Sequence, residues 1–214
     1  MIGLYGGSFD PVHLGHVATA EALRDTLGLR EIRFLPAARS PLKQAVTADA
    51  HRVAMLELAL AGRPGLLLDR SELDRPPPSY TIDTLRRVRA ALGPEESLVF
   101  ILGLDSFLDL PQWKDWQALT DLAHLLVVSR PGSHPRFDAA LAEWLESRLA
   151  PGSASLRTAP AGSVLLVDTP PRDIASRTIR AAVQAGRDTS GWLNPAVRDY
   201  IDHHHLYCGE ADPQ

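Results

Sequence analysis

A chain of 214 residues with 45% hydrophobic side chains can bury an ordinary core in one domain, which excludes global disorder. The net charge of −4 argues against a protein that coats nucleic acid, while leaving room for a local basic pocket that binds phosphate. The one cysteine, Cys208, builds no disulfide framework, no basic and apolar leader is visible, and every apolar run is too short for a bilayer, so a cytoplasmic protein is expected.

Short apolar runs bounded by turn residues alternate with stretches of helical period. In chain order the strand candidates are Ile2–Tyr5, Glu31–Leu35, Leu66–Asp69, Leu98–Leu102, His124–Val128 and Val164–Val167. They mix β-branched residues with leucine and lack polar alternation, as strands buried on both faces of a parallel sheet do. Between them, His13–Leu27 sets Val17, Ala20, Leu23 and Leu27 on one stripe and ends at Gly28. Asp49–Ala61 repeats the design with Val53, Leu56 and Leu60 before Gly62, and Thr81–Leu92 repeats it with Leu85, Val88 and Leu92 before Gly93.

This alternation predicts right-handed crossovers and an open, doubly wound sheet in a single domain over 1–214. Pro76-Pro77-Pro78 marks a stiff surface excursion. The Ala-, Ser-, Pro- and Gly-rich stretch from Ala150 to Gly162 reads as a mobile connector. A C-terminal helical segment is expected from about 174, with a last helix starting at Pro195 behind Asn194.

The strongest chemical signal is Gly6-Gly7-Ser8-Phe9-Asp10-Pro11-Val12-His13-Leu14-Gly15-His16. A buried strand ends, two glycines permit a sharp turn, and a helix begins near His13. In open parallel sheets ligands bind at such strand ends, and free N–H groups with the helix dipole suit a phosphate. His13 and His16 stand at i, i+3, so both imidazoles leave one face of the first turn. Gly15 between them leaves space for a nucleotide to approach the helix backbone. Two imidazoles there can donate hydrogen bonds to charge developing on a phosphoryl group. An isolated pair of this kind reads more readily as two surface histidines, and it is the strand, turn and helix start together that reverse this in favour of the phosphate site. Nearby carboxylate or thiolate partners for a metal site are lacking, and no Gly-Lys-Ser/Thr follows as in a Walker loop.

The run Gly6 to His16 resembles the signature of the HxGH nucleotidylyltransferases. More closely, the chain is similar to bacterial nicotinate-nucleotide adenylyltransferases. The likeness covers nearly its full length, through Pro78-Ser79-Tyr80-Thr81, Gly103-Leu104-Asp105, Leu110-Pro111-Gln112-Trp113, Ser129-Arg130-Pro131-Gly132, Ile179-Arg180 and His205-Leu206-Tyr207. The resemblance implies an α/β, Rossmann-like doubly wound parallel sheet with flanking helices. It implies transfer of AMP from ATP to nicotinate mononucleotide in NAD biosynthesis, with pyrophosphate leaving.

Carried onto this chain, the family pattern assigns His13, His16 and Arg180 to catalysis. It assigns Gly6, Gly7, Ser8, Phe9, His16, Gly103, Asp105, Ser176 and Arg180 to ATP, and Lys43, Tyr80, Thr81, Trp113 and Arg130 to the mononucleotide. Mg²⁺ would accompany ATP with no dedicated protein cage. The partners implied are these small molecules, with no nucleic acid or membrane, and a homo-oligomer is left open.

Several residues carry a second reading. Asp105 accepts from a ribose hydroxyl or caps the next short helix, and Tyr80 and Thr81 meet a carboxylate or form a strand end and N-cap. Trp113 offers a stacking face, whereas Trp116, three residues on, reads as core. The histidines at 203 to 205 read as a solvated helix end.

The sequence departs from the family pattern at three places. Leu42 stands where a histidine is common, leaving Lys43 as the phosphate-directed charge of its loop. Ala175 and Arg177 replace hydroxyl residues, while Ser176 and Thr178 are shifted by one. The backbone N–H groups of that helix start are unaffected. Two alternatives follow: adenylation of another acceptor (nicotinamide mononucleotide or phosphopantetheine), or a nucleotide-binding sensor without turnover.

Overall fold

The structure, a computed structural model, describes residues 1–38, 47–76, 78–129, 135–168 and 174–208. In chain order it contains β1 (Ile2–Gly7), α1 (Leu14–Leu27), β2 (Glu31–Pro36), α2 (Asp49–Leu60), β3 (Leu66–Leu68), α3 (Thr81–Leu92), β4 (Leu98–Gly103) and α4 (Leu104–Leu108). Two 3₁₀ turns, Leu110–Gln112 and Trp116–Asp121, lead into β5 (His124–Ser129). Then come α5 (Ala139–Glu146), α6 (Ser155–Thr158), β6 (Val164–Asp168), α7 (Ser176–Gln184) and α8 (Pro195–His203). Each strand expected from the sequence is present, and five of the six run to or past their expected ends; the edge strand β3 stops one residue early.

The strands pair in parallel in the order β3-β2-β1-β4-β5-β6. Because β1 and β4 lie side by side at the centre, the chain winds outward in both directions from them. The crevice beyond their carboxyl ends is the switch point of a doubly wound sheet.

Both sheet faces are covered, which is why the strands lack polar alternation. On one face Val17, Ala20, Leu23 and Leu27 of α1 pack with Met55, Leu56 and Ala59 of α2, Ile179 of α7, and Val197 and Ile201 of α8. On the other, Ile82 and Leu85 of α3 pack with Phe107, Leu119, Leu141 and Trp144. The stripe expected on α1 is the buried one, and Gly28 closes it in the left-handed region at φ 64°. On α3 only Leu85 of its expected stripe is fully buried, with Val88 and Leu92 packed at the margin. Asn194 caps α8 through Ala196 N–H, with Pro195 in the first turn. Among the described residues no helix is long and apolar enough to cross a membrane.

The stretch from Ala150 to Gly162 corrects an expectation, for it is a fastened strap rather than a mobile connector. Leu156 is buried, its carbonyl accepts from Ser97 Oγ at 2.8 Å, and Arg157 donates to Leu27 O at 2.6 Å. Pro160 O accepts from Leu98 N–H and from Arg89. Buried His124 accepts Ser163 N–H at Nδ1, which makes Nε2–H the donor to Ala159 O at 2.9 Å. Composition missed this because the fasteners are distant residues taking backbone carbonyls.

Arg89 links that strap to the body of the domain, donating to Pro160 O and also to Leu122 O, Gly93 O and Glu96 O. Arg89→Met strands these acceptors, and the expected loss is about 2–3 kcal/mol of unfolding free energy. Urea denaturation checks it: a change below about 0.5 kcal/mol would show that water replaces the guanidinium at no net loss.

Candidate active site

The glycine turn is shaped by aromatic packing. A Cβ on Gly6 would sit 2.8 Å from Phe100 Cζ, and one on Gly7 would sit 2.9 Å from Phe9 Cζ. Phe9 is 1% exposed at φ 48°, and its ring stands edge-on to His16 at 5.1 Å. Tyr5, also buried, touches Phe9, Phe34 and His16. The Phe9 side chain is therefore the wall behind His16, and only its backbone remains for a ligand.

His13 is the N-cap of α1, and the two histidines form a reciprocal capping box. His16 N–H donates to His13 Nδ1 and His13 N–H donates to His16 Nδ1, each at 3.3 Å. The rings stack at 3.6 Å between centroids. A Cβ on Gly15 would lie 3.0 Å from His13 Nδ1, so this glycine first makes room for the stacked ring itself. The free N–H row expected at this helix start is mostly occupied, since Leu14 N–H donates to Trp192 O at 2.9 Å. What the turn presents instead is imidazole. With both Nδ1 atoms accepting, the neutral rings carry their protons on Nε2, as two parallel donors.

Asp10, 2% exposed, ties this turn to the rest of the fold. Its carboxylate accepts from Tyr207 OH at 2.6 Å and from Thr47 N–H at 3.2 Å, while its carbonyl accepts from Arg180 at 2.7 Å. Burial, then the Asp10 contact, pushes the Tyr207 phenol up, so it stays a donor. Ser176 Oγ donates to Pro11 O at 3.0 Å. These bonds bring the start of α7 beside the start of α1. The cap residue Ala175 offers no side-chain bond, and Arg177 and Thr178 are exposed. Ser176 thus gives its proton to the protein backbone, and Arg180 keeps further donors in its fork.

Across the crevice, Gly103 caps α4 and exposed Asp105 lies in its first turn, so Asp105 is not the N-cap. Tyr80 is the cap residue of α3 with no side-chain bond, and Thr81 is the first helical residue. Lys114 sits 4.7 Å over the Tyr80 ring and pairs with Asp83, holding the Trp113 segment against the start of α3. Trp113 meets Phe100 edge-on at 6.4 Å, beneath Gly6. Trp116 packs on Trp144 at 5.0 Å as core. Lys43, Leu42 and Arg130 lie outside the described residues.

Sequence reasoning missed Arg52, Thr47 and the tethering roles of Asp10 and Tyr207. Arg52, 0% exposed, donates to Ser8 O and Ala37 O. The signal for it is a lone arginine beside Met55 and Ala59 on a helix flank that is otherwise apolar.

Burial lowers His13 to about 4, and burial followed by the His13 charge takes His16 well below the usual range. Depressed folded-state values favour protonation of the unfolded chain. The pair's contribution to stability is therefore full above the ordinary value of 6.5 and is lost as pH falls toward about 4. Titration by ¹H–¹³C NMR should give a His13 midpoint near 4, and both rings as the Nε2–H tautomer at pH 7. A midpoint near 6.5 would contradict the burial of the ring, and an Nδ1–H tautomer at pH 7 would remove the neutral-donor assignment.

A family model described as Cytidylyltransferase-like matches residues 4–182. A protein of Stenotrophomonas maltophilia called "Probable nicotinate-nucleotide adenylyltransferase" is 46% identical over 211 residues, covering 95% of each chain. A Laribacter hongkongensis protein with the same name is 46% identical over 217 residues, covering 98% of this chain and 96% of its own. Plasmodium falciparum nicotinic acid mononucleotide adenylyltransferase complexed with NaAD superposes with a TM-score of 0.70 at 20% identity over 96% of both chains, a likeness of fold. With a histidine pair at the β1–α1 turn and relatives matched over nearly their full length, the chain belongs to the nicotinate-nucleotide adenylyltransferase family.

Proposed function

We propose that this chain transfers AMP from ATP to nicotinate mononucleotide, giving nicotinate adenine dinucleotide and pyrophosphate. The observation that carries this reading is the stacked histidine pair, whose Nδ1 atoms are consumed internally so that Nε2–H of each ring remains as the donor. A phosphate oxygen of the mononucleotide attacks the α-phosphorus of ATP. The new P–O bond forms as the bond to the β-bridging oxygen breaks, and pyrophosphate takes the electron pair. The attacking phosphate is already ionised at neutral pH, so no general base is needed. Catalysis is then positioning plus stabilisation of charge on the α-phosphoryl oxygens by His13 and His16.

Arg180 and the uncapped start of α7 suit the β- and γ-phosphates. Gly6, Gly7, Ser8 and Phe9 contribute through the backbone of the turn, and Gly103 and Asp105 flank the adenosine ribose. The uncapped start of α3 at Tyr80 and Thr81 suits the nicotinate carboxylate, and Trp113 its ring. The resemblance gives Lys43 and Arg130 to the mononucleotide. Mg²⁺ would enter as the companion of ATP. It would be held largely by phosphate oxygens and water, since Mg²⁺ keeps several waters and usually binds with substrate phosphates. A cytoplasmic setting fits the single, exposed Cys208.

Pyrophosphate release from ATP tests the reading. Nicotinate mononucleotide should give a higher kcat/KM than its amide, because N–H donors gain charge-assisted bonds from a carboxylate. Equal values for the amide, or a preference for phosphopantetheine, would move the assignment to another acceptor. ATP binding with no release from any acceptor would make the protein a sensor.

Variants test the roles. His16→Ala should keep its fold and lower turnover a hundredfold or more, the effect of about 3–4 kcal/mol. Near-parent turnover would remove His16 from the chemistry. Arg180→Ala should weaken ATP binding more than Arg177→Ala, and the opposite order would shift the triphosphate grip to Arg177.

A further inference from the structure

We propose that Arg52 is a positioning residue that aims the Phe9 N–H at the nucleotide phosphates; this rests on the adenylyl-transfer reading above. Arg52 sits among the buried residues of α2 with Val53, Met55, Leu56 and Ala59. A guanidinium stays charged in any protein, and removing it from water costs several kcal/mol unless it is well paired. Here Nη1 donates to Ser8 O at 2.7 Å, and Nη2 donates to Ala37 O at 2.8 Å and to Asp49 Oδ1 at 2.6 Å. Its Nε is buried without a hydrogen-bond partner among the described residues. An apolar side chain of similar volume would fill this space without that penalty, so the arginine serves something other than packing.

What it holds are the backbone exits of two adjacent strands, β1 and β2. Ser8 follows β1 and Ala37 follows β2, and Ala37 N–H also donates to Gly7 O at 2.8 Å. In a planar trans peptide the C=O of one residue and the N–H of the next point opposite ways. Pinning Ser8 O to Arg52 therefore turns Phe9 N–H away from the guanidinium, and that N–H has no partner among the described residues. A buried backbone donor without a partner is rare, and beside the histidine pair a phosphate oxygen supplies one.

Phe9 also sits at φ 48°, a conformation disfavoured for a bulky residue that persists only where the surroundings enforce it. The enforcement comes from both sides. Its ring is packed against Tyr5, Phe34 and His16, and its preceding carbonyl is held by Arg52. A shift of this peptide would move the wall behind His16 together with the donor.

The experiment uses the full chain with Arg52→Met and Arg52→Lys. Lysine keeps the charge, but its single ammonium cannot reproduce the forked contact to both carbonyls, and it guards against a methionine variant that fails to fold. The Phe9 amide is followed by ¹H–¹⁵N NMR while α,β-methylene-ATP is added, beside kcat and KM for both substrates. In the parent this amide should shift on binding. In each folded variant the shift should be lost, with kcat falling about ten- to a hundredfold and KM for ATP changing much less. A persistent Phe9 shift in a folded Arg52→Lys protein overturns the proposal even if turnover falls, because Arg52 would then serve only stability. So does a kcat within about threefold of the parent. Failure of the adenylyl-transfer reading shows separately, as a parent that binds the analogue and releases no pyrophosphate from ATP.

Discussion

In the first turn of α1 each imidazole gives its Nδ1 to the backbone N–H of the other residue, and much of the site's chemistry follows from that exchange. It satisfies helix-start donors that would otherwise need water, locks both ring planes, and fixes the tautomer. Burial keeps the rings neutral, which the exchange requires, since a protonated Nδ1 could not accept. The same histidines therefore end the loop, begin the helix and present two donors at one place. Gly15 and the Phe9 ring belong to this arrangement: one leaves space for the stack and the other backs it.

The loop between β1 and α1 carries that pair, and almost every other part of the molecule fastens it. Arg52 reaches it from α2, Thr47 from the approach to α2, Ser176 and Arg180 from α7, and Tyr207 from beyond α8. Several of these contacts converge on Asp10, which is buried and holds its neighbours through both carboxylate oxygens and its own carbonyl. The C-terminal third of the chain is thus part of the site. Its helices cover one face of the sheet, and their ends tie the histidine-bearing turn in place.

The altered motif at α7 becomes intelligible in these terms. Ala175 takes from the helix start a side-chain cap, but a cap is a competitor for the same N–H groups that bind an anion. Arg177 points a cation outward at the exposed first turn, and Arg180 remains anchored through Asp10 O. The start of α7 therefore offers backbone N–H groups and guanidinium where the family pattern has hydroxyl groups.

From the sequence alone, the periodicities determined the six strands, the main helices and the parallel class of sheet, because apolar spacing and Gly28, Asn194 and Pro195 act locally. The strand, glycine turn and His13–His16 spacing likewise placed the histidine pair at the β1–α1 switch point, since those signals lie within eleven consecutive residues. Tertiary structure alone decided what each member does. Gly15 accommodates a ring, Phe9 is a wall, Ser176 donates to Pro11 O, and Asp105 is free of a capping role. It alone turned Ala150–Gly162 from an apparent connector into a strap, and made Arg52 a clamp on two carbonyls. The hydrogen-bonded members share one physical reason. A hydrogen bond from a side chain to a backbone group 15 or more residues away leaves no period in the sequence, because the acceptor is the same carbonyl in every residue type.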